Sequence, residues 1–304
     1  MKNKVAIFSH DAGGAELVSL WAKKQKYDYI THIYGPARKV FERNALFENH
    51  YNLKDAILKS DWILCGTSWQ SEIEKEAILN AKLLKKKSVS LLDHWVNYRE
   101  RYIYKGNLNL PDEIWVTDNY AKNLIIKEFP KVKIRLVKNM YFENMKKKIN
   151  SIKLKYQIKK NTKKNILFLA QNFSETSIFQ IPNHKLLGYN EHDAINFLLE
   201  NIDYLGVKIN TIQIRPHPSD KDKKYDWVLK KYPQFKFINS RLDLIEDIVK
   251  SDIVVGCTTM GLAIACLAKK KVISCIPRGP SECPIPFKEI INFREIIKEK
   301  SELK

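Results

Sequence analysis

Two prolines bracket one histidine in Thr211-Ile-Gln-Ile-Arg-Pro-His-Pro-Ser-Asp220, directly behind a short apolar strand. Each proline fixes its own φ and pushes the residue before it out of the helical region. Arg215 and His217 are therefore extended, and their cationic and imidazole groups stand at a strand exit, where open parallel sheets bind ligands. The pair suits an anion; the same residues also read as a capped strand and an ordinary loop. A second stretch, Gly256-Cys-Thr-Thr-Met-Gly261, ends an apolar strand and opens a helix. Backbone N–H groups at a helix start, with the Thr258 and Thr259 hydroxyls, make either a phosphate site or a plain threonine N-cap. Asn172 and Ser174, in the loop Gln171–Asn183, are assigned to the same phosphate side.

Two more stretches lie in the first half of the chain. His10-Asp-Ala-Gly-Gly-Ala-Glu16 follows an apolar strand, and Gly13 and Gly14 allow a close backbone approach beside Asp11. Asp11 is a candidate general base, with His10 and the two glycines on the acceptor or sugar side. Glu16 in the first helical turn equally complements the helix dipole. The pattern is not GxGxxG, so a dinucleotide site is not expected. Leu91-Leu-Asp-His-Trp-Val-Asn-Tyr-Arg-Glu-Arg-Tyr102 supplies Asp93, His94, Tyr98 and Arg99, with Trp95 and Arg101 beside them. Aromatic faces with cations suit a sugar or an anionic acceptor, and suit an inter-domain packing surface as well; Thr67-Ser68-Trp69 extends the cluster. HExxH, P-loop and GxSxG patterns are absent, and His32, His50, His184 and His192 lack metal-ligand spacing. No metal site is expected.

Positioning these residues takes alternating strands and helices. Strands are expected at 4–9, 29–34, 62–64, 89–92, 114–116 and 134–137, with helices between them. The Lys/Asn-rich stretch 145–164 breaks the register and reads as a partly helical connection. Alternation restarts with strands at 166–170, 211–214, 235–238, 253–255 and 272–275, and closes with a helix at 287–300. The expected fold is α/β: two Rossmann-like, doubly wound domains facing a central cleft. The division is an N-terminal acceptor-side domain at 1–150, a linker at 151–164, a nucleotide-sugar-binding domain at 165–286, and a C-terminal helix at 287–304 returning toward the first domain. The halves echo each other: Ser60-Asp-Trp-Ile-Leu-Cys-Gly-Thr-Ser68 matches Ser251-Asp-Ile-Val-Val-Gly-Cys-Thr-Thr259, and each is followed by a helix, a lysine run and a strand.

A chain of 304 residues, 44% hydrophobic, builds a large buried core. No apolar run approaches the roughly 20 residues of a membrane helix, and Met1–His10 lacks a signal-peptide cleavage site; a cytoplasmic protein is expected. Five scattered cysteines without a CxxC pair argue for free thiols. The net charge of +19 suits anionic substrates, an anionic membrane face or nucleic acid. No recognised nucleic-acid motif accompanies it, and part of it follows a general lysine bias.

Taken together, the chain resembles GT-B glycosyltransferases. The His217-Pro218 step followed by Thr258-Thr259 is similar to bacterial sialyltransferases and to transferases of CMP-activated nonulosonic acids or Kdo, and more distantly to CDP-glycerol glycerophosphotransferases. The resemblance implies Asp11 as base, His217 on the nucleotide phosphate and Thr258 with Thr259 binding that phosphate. It implies metal-free transfer of a CMP-linked sugar to a surface glycan or glycolipid, with no cofactor beyond the nucleotide sugar. The acidic D/E-D/E-Gly motif of those families is absent, and Asp243 or Glu246 is the substitute for holding a ribose. A nucleotide-sugar 2-epimerase and a UDP- or GDP-sugar transferase of the same fold are the alternatives, with a basic nucleic-acid-binding protein outside the enzymes.

Overall fold

The computed structural model describes residues 3–46, 51–68, 71–156, 162–178, 181–239, 242–279 and 282–302. It divides into two compact units, Met1–Glu143 and Asn144–Lys304.

The first unit runs β1 (Lys4–Ser9), α1 (Ala12–Ala22), β2 (Asp28–Ile33), α2 (Ala37–Arg43), α3 (Leu53–Leu58), β3 (Trp62–Cys65), α4 (Ile73–Leu83) and β4 (Lys87–Leu91). A small hairpin, β5 (Ile103–Tyr104) and β6 (Asn107–Leu108), precedes β7 (Glu113–Val116), α5 (Asn119–Glu128) and β8 (Lys133–Leu136). Its main sheet is ordered β2-β1-β3-β4-β7-β8, with every described pair parallel. The central strands are near-continuous apolar runs because helices cover both faces. Val5, Ile7, Leu64, Val89 and Leu91 meet Ala15, Val18, Val40 and Phe41 in one core.

Helix α6 (Met140–Tyr156) carries the chain into the second unit, and the boundary between units falls inside it. The stretch 145–164, expected as a partly helical connection, is helical as far as Tyr156. Met145, Ile149, Ile152 and Tyr156 repeat at helical spacing, and Met145 and Ile149 are buried, while the intervening lysines hide the stripe. Residues 151–156 are therefore helical, 157–161 lie outside the described residues, and the next strand starts at Lys164.

The second unit continues with β9 (Lys164–Leu169), the hairpin β10 (Ser177–Ile178) and β11 (Ile181–Pro182), α7 (Asn183–Leu187), α8 (Glu191–Glu200) and β12 (Ile209–Arg215). Then come α9 (Trp227–Lys231), β13 (Phe237–Asn239), α10 (Leu244–Lys250), β14 (Ile253–Gly256), α11 (Met260–Leu267), β15 (Lys271–Ser274), β16 (Ile290–Asn292) and α12 (Phe293–Glu302). Its sheet order is β13-β12-β9-β14-β15-β16, again parallel in every described pair. The expected terminal helix is shorter, because residues 290–292 extend the sheet beside β15. It packs on the second unit: Phe293 is fully buried in that core and Ser301 Oγ donates to the Tyr204 hydroxyl at 3.3 Å.

Cys65, Cys257 and Cys275 are buried free thiols, while Cys266 and Cys283 are half-buried. Among the described residues no helix is long and apolar enough to cross a membrane.

Candidate functional site

In the second sheet the strand order reverses between β9 and β14, so their carboxyl ends flank the crevice where doubly wound sheets take ligands. Gln171, just beyond β9, reaches across it. Its Nε2 donates to Thr258 Oγ1 at 3.0 Å and its Oε1 accepts the Thr258 N–H at 2.8 Å. Gly256 closes β14, and Thr259 caps α11 by accepting the Gly261 N–H at 3.3 Å. A Cβ on Gly261 would sit 2.5 Å from Leu169 Cδ1, so a larger residue there has to displace the end of that leucine side chain. The result is a helix start presented at the switch point with hydroxyls on it, an arrangement suited to phosphate.

His217 stands exposed beyond β12. Its Nδ1 accepts the Ser219 N–H at 3.2 Å and lies 2.7 Å from Ser219 Oγ, so the ring carries its proton on Nε2, which is left as a donor. Ser219 Oγ in turn accepts from Asn172 Nδ2 at 3.1 Å, tying the β12 exit to the β9 exit. Beneath both lies a buried ionic cluster. Lys224 Nζ meets Asp220 Oδ1 at 2.7 Å, Glu191 Oε1 at 2.5 Å and Asn172 Oδ1 at 3.0 Å. Glu191 Oε2 accepts the Phe173 and Ser174 N–H groups, and Ser174 Oγ donates to Glu191 Oε1. Burial works against the Glu191 charge, but bonds from Lys224 and Ser174 hold its carboxyl below the usual range.

Arg215 goes elsewhere: its guanidinium pairs with the buried carboxylate of Asp247 and with the Leu242 carbonyl. Asp243 caps α10 by accepting the Ile245 N–H, and Glu246 accepts from Tyr156 Oη. Neither carboxylate is free of structural work.

In the first sheet the reversal falls between β1 and β3, and three carboxyl groups gather at the exits of β1, β3 and β4. Asp11 takes the N-cap position of α1 without a capping bond; its Oδ1 lies 2.8 Å from His10 Nδ1. The His10 ring is seated against Gly35, whose left-handed φ of +53° and lack of Cβ make room for Nε2. The Asp93 carboxylate accepts at Oδ1 from Thr67 Oγ1 at 2.8 Å and from Arg101 at 2.9 Å. Its other oxygen faces Gly13, where an added Cβ would sit 2.2 Å away; a Cβ on Gly14 would sit 2.9 Å from the Thr67 nitrogen.

The third acid is Glu74, in the first turn of α4. It is 3% exposed, its Oε1 accepts the His10 N–H at 2.8 Å, and its Oε2 is buried without a partner. Burial, reinforced by the charges of Asp11 and Asp93 and opposed by two backbone hydrogen bonds, pushes its pKa up to about 8. At neutral pH Glu74 is a neutral acid. His94 Nδ1, Tyr98 Oη and Ser9 Oγ are also buried without partners near these exits. Burial lowers the His94 pKa against the pull of Asp93.

The structure thus gathers His10, Asp11, Gly13, Gly14 and Asp93 in the first unit, and Gly256, Thr258 and Thr259 in the second. Asn172, His217 and Ser174 share the adjoining ionic network. Arg99 is drawn off to Glu128 on the surface, 3.3 Å away. Trp95 donates to Asp118, the cap of α5. Trp69 and His50 lie outside the described residues, and the His184 side chain does too. His32 and His192 have ordinary partners, the Tyr51 carbonyl and the Trp227 indole. Among the described residues no three His, Cys, Asp or Glu side chains are arranged to hold a metal. Sequence reasoning missed Glu74, Gln171 and Lys224. Gln171 was open to detection as the first polar side chain beyond the first strand of the unit. Glu74 stands among the first-turn acids of α4, and no local motif sets it apart.

No family model matches the chain, and no curated protein matches it. Solved structures do. UDP-GlcNAc 2-epimerase from Neisseria meningitidis, bound to UDP-GlcNAc, matches 99% of this chain and 91% of its own at a TM-score of 0.62 and 13% identity. The Methanocaldococcus jannaschii UDP-GlcNAc 2-epimerase matches 98% and 92% at 0.61 and 15% identity. MurG from Acinetobacter baumannii matches 99% and 90% at 0.54 and 9% identity. At these identities the likeness is one of fold: two Rossmann-like domains of the GT-B type.

Proposed function

We propose that this chain is a nucleotide-sugar enzyme acting on a nucleoside-diphosphate sugar, with 2-epimerisation as its reaction. The observation that carries the proposal is the pairing of unlike carboxyl groups in the first unit. Glu74 is held neutral in a buried setting, while Asp11 is paired with His10 and Asp93 with Arg101. Inverting the carbon beside the anomeric centre removes its proton from one face as the anomeric C–O bond to the phosphate breaks. A proton returns to the other face as that bond re-forms, so the reaction needs both an acid and a base. Transfer to a hydroxyl needs a base alone. The solved epimerases of this fold, two of them bound to UDP-GlcNAc, support the same reading.

In the second unit the phosphates are taken by the start of α11, with Gly256, Thr258 and Thr259, and by the Nε2–H of His217. Asp11 or Asp93 serves as the base in the first unit. The reaction so written uses no cofactor beyond its nucleotide-sugar substrate and no metal.

The second reading is a glycosyltransferase, favoured by the combination of His217-Pro218 with Thr258-Thr259 and by the likeness to MurG. Asp11 is then the base on an acceptor hydroxyl, and His217, Thr258 and Thr259 stabilise the leaving phosphate. A CMP-linked nonulosonic acid as donor rests on those four residues alone. Under that reading the charge of +19 holds a cytoplasmic enzyme at an anionic membrane face bearing the acceptor.

A thermal-shift panel of UDP, UDP-GlcNAc, GDP, CDP and CMP separates the donor classes, because a ligand of the folded state raises its melting temperature. UDP-GlcNAc is then incubated alone and its product followed by proton NMR. Stabilisation by UDP compounds with an inverted sugar supports the epimerase. Stabilisation by CMP alone, with an unchanged sugar until an acceptor is added, favours transfer. No stabilisation by any nucleotide overturns both, and activity abolished by EDTA overturns the metal-free mechanism.

A further inference from the structure

The first unit has a concavity over one face of its sheet, running from the starts of β3 and β4 toward the far ends of β7 and β8. Trp62 and Lys87 are the first residues of β3 and β4, Asn3 precedes β1, and Trp21 lies in the last turn of α1. With Tyr27 and Trp115 they line a cavity of about 390 Å³.

Its walls are aromatic. Trp21 meets Trp115 at 5.1 Å between ring centroids, Trp62 at 6.1 Å and Tyr27 at 6.0 Å; Trp62 meets Trp115 at 6.0 Å. Such contacts ordinarily close a core, yet Trp21, Tyr27 and Trp62 are only half buried. Most of the planes are steeply inclined, 77° for Trp21 with Trp62 and about 55° for Trp115 with each of its tryptophan neighbours. Inclined faces form a bowl rather than the parallel slot that a flat nucleobase fills. A bowl of electron-rich faces fits the C–H groups of a puckered ring.

The rim is cationic. The exposed Arg135 guanidinium sits 5.4 Å over the Trp115 ring, and Lys87 reaches the mouth beside it. Among the described residues no carboxylate lines the cavity. The nearby Glu113 is already engaged by Lys87 at 2.8 Å, Lys133 at 2.9 Å and the Trp115 indole at 3.0 Å. Burial opposes its charge, but these bonds hold its pKa down at about 2, leaving three cations to one anion. Asn3 and Gln25 add amides that can both donate to and accept from hydroxyls.

We infer that this bowl is a binding site for a sugar ring carrying a negative charge, a carboxylate or a phosphate, with the ring on the tryptophan faces and the charge at Arg135 and Lys87. The site is separate from the exits of β1, β3 and β4 and does not rest on the reaction proposed above.

The test is a titration of the full chain with glucuronate and with glucose 6-phosphate, following tryptophan emission, with glucose and UMP as comparison ligands. Both acidic sugars are expected to shift the emission saturably, with glucose at least about tenfold weaker. Arg135→Gln, an exposed position, is expected to weaken both acids about tenfold while leaving glucose unchanged. Trp62→Leu is expected to abolish the response. A saturable response to only one acid assigns the charge to that group and supports the site. The inference is overturned if neither acid gives a saturable response, if Arg135→Gln leaves their affinities intact, or if UMP binds more tightly than both in a way that Arg135→Gln weakens. Should Trp62→Leu fail to fold, Arg135→Gln decides alone.

Discussion

The segment from β3 to β4 and the segment from β14 to β15 are two copies of one device that end differently. Both begin with Ser-Asp. Ser60 Oγ donates to the Ile57 carbonyl and Ser251 Oγ to the Ile248 carbonyl, each at 2.9 Å. Asp61 Oδ2 accepts the Lys4 N–H at 2.7 Å, and Asp252 Oδ2 accepts the Asn165 N–H at 2.9 Å. Both close with a lysine in the left-handed region, Lys85 at φ 52° and Lys269 at φ 59°. The next lysine caps the serine carbonyl at 2.6 Å in each case, Lys86 to Ser60 and Lys270 to Ser251. The span between those partners is 26 residues in the first copy and 19 in the second. Four of the extra residues fall between strand and helix and three lengthen the helix, whose first turn carries Glu74 to the exits. The shorter copy starts α11 directly at the strand end, so its backbone faces the crevice with Thr259 as cap. One frame yields a buried acid in the first unit and a helix start at the crevice in the second.

The largest effect that would break this contrast is expected at Lys224. Lys224→Ala leaves Glu191 and Asp220 buried without their cation and should cost about 3–5 kcal/mol in urea unfolding. Destabilisation near zero would mean that the second unit's exits are not held by charge.

Glu74 gives the counterpart in the first unit. Its carboxyl titrates near 4.3 in the unfolded chain and near 8 in the fold. Below the lower value both states bind the proton and stability is at its highest. Between the two the unfolded state alone loses it, so stability falls with rising pH, and the slope ends once the folded group ionises. At about 1.4 kcal/mol per pH unit the decline amounts to a few kcal/mol. Glu74→Gln, which keeps a neutral side chain of the same shape, should flatten the curve over that window while the rest of the pH profile persists.

Gly13→Ala pushes against the Asp93 carboxylate and should cost about 1–3 kcal/mol in thermal melts. Asp11→Asn should leave nucleotide-induced stabilisation nearly intact while turnover falls by at least about a hundredfold. Thr259→Ala removes the cap of α11 and should cost about 1 kcal/mol; with Thr258→Ala it should weaken nucleotide binding. Finest is the paired comparison of Asp61→Ala with Asp252→Ala. Each frees one backbone N–H and should cost about 1 kcal/mol. Clearly unequal costs would deny the two copies a common role.

The alternation of apolar runs and helical stripes was enough to read two Rossmann-like blocks, and the repeated Ser-Asp strands were visible as an echo. The strand exits were legible because Pro216, Pro218, Gly13, Gly14 and the Thr258-Thr259 pair mark turns by their own chemistry. What escaped depends on distant partners. Arg215 looked available for phosphate, but Asp247, 32 residues on, claims it. Glu74 carries no local sign of burial; only the meeting of β1, β3 and β4 makes it an unusual acid. The extent of helix α6 was not legible because lysines outnumber the apolar positions that fix its face.

Lys224 has one further consequence, and it is historical. Its ammonium joins Asn172 from the β9 exit, Glu191 from α8 and Asp220 from the β12 exit. No member can drift alone without stranding the others, so among descendants of a common ancestor these four positions should change together or not at all. The exposed surface around them is free to diverge one residue at a time.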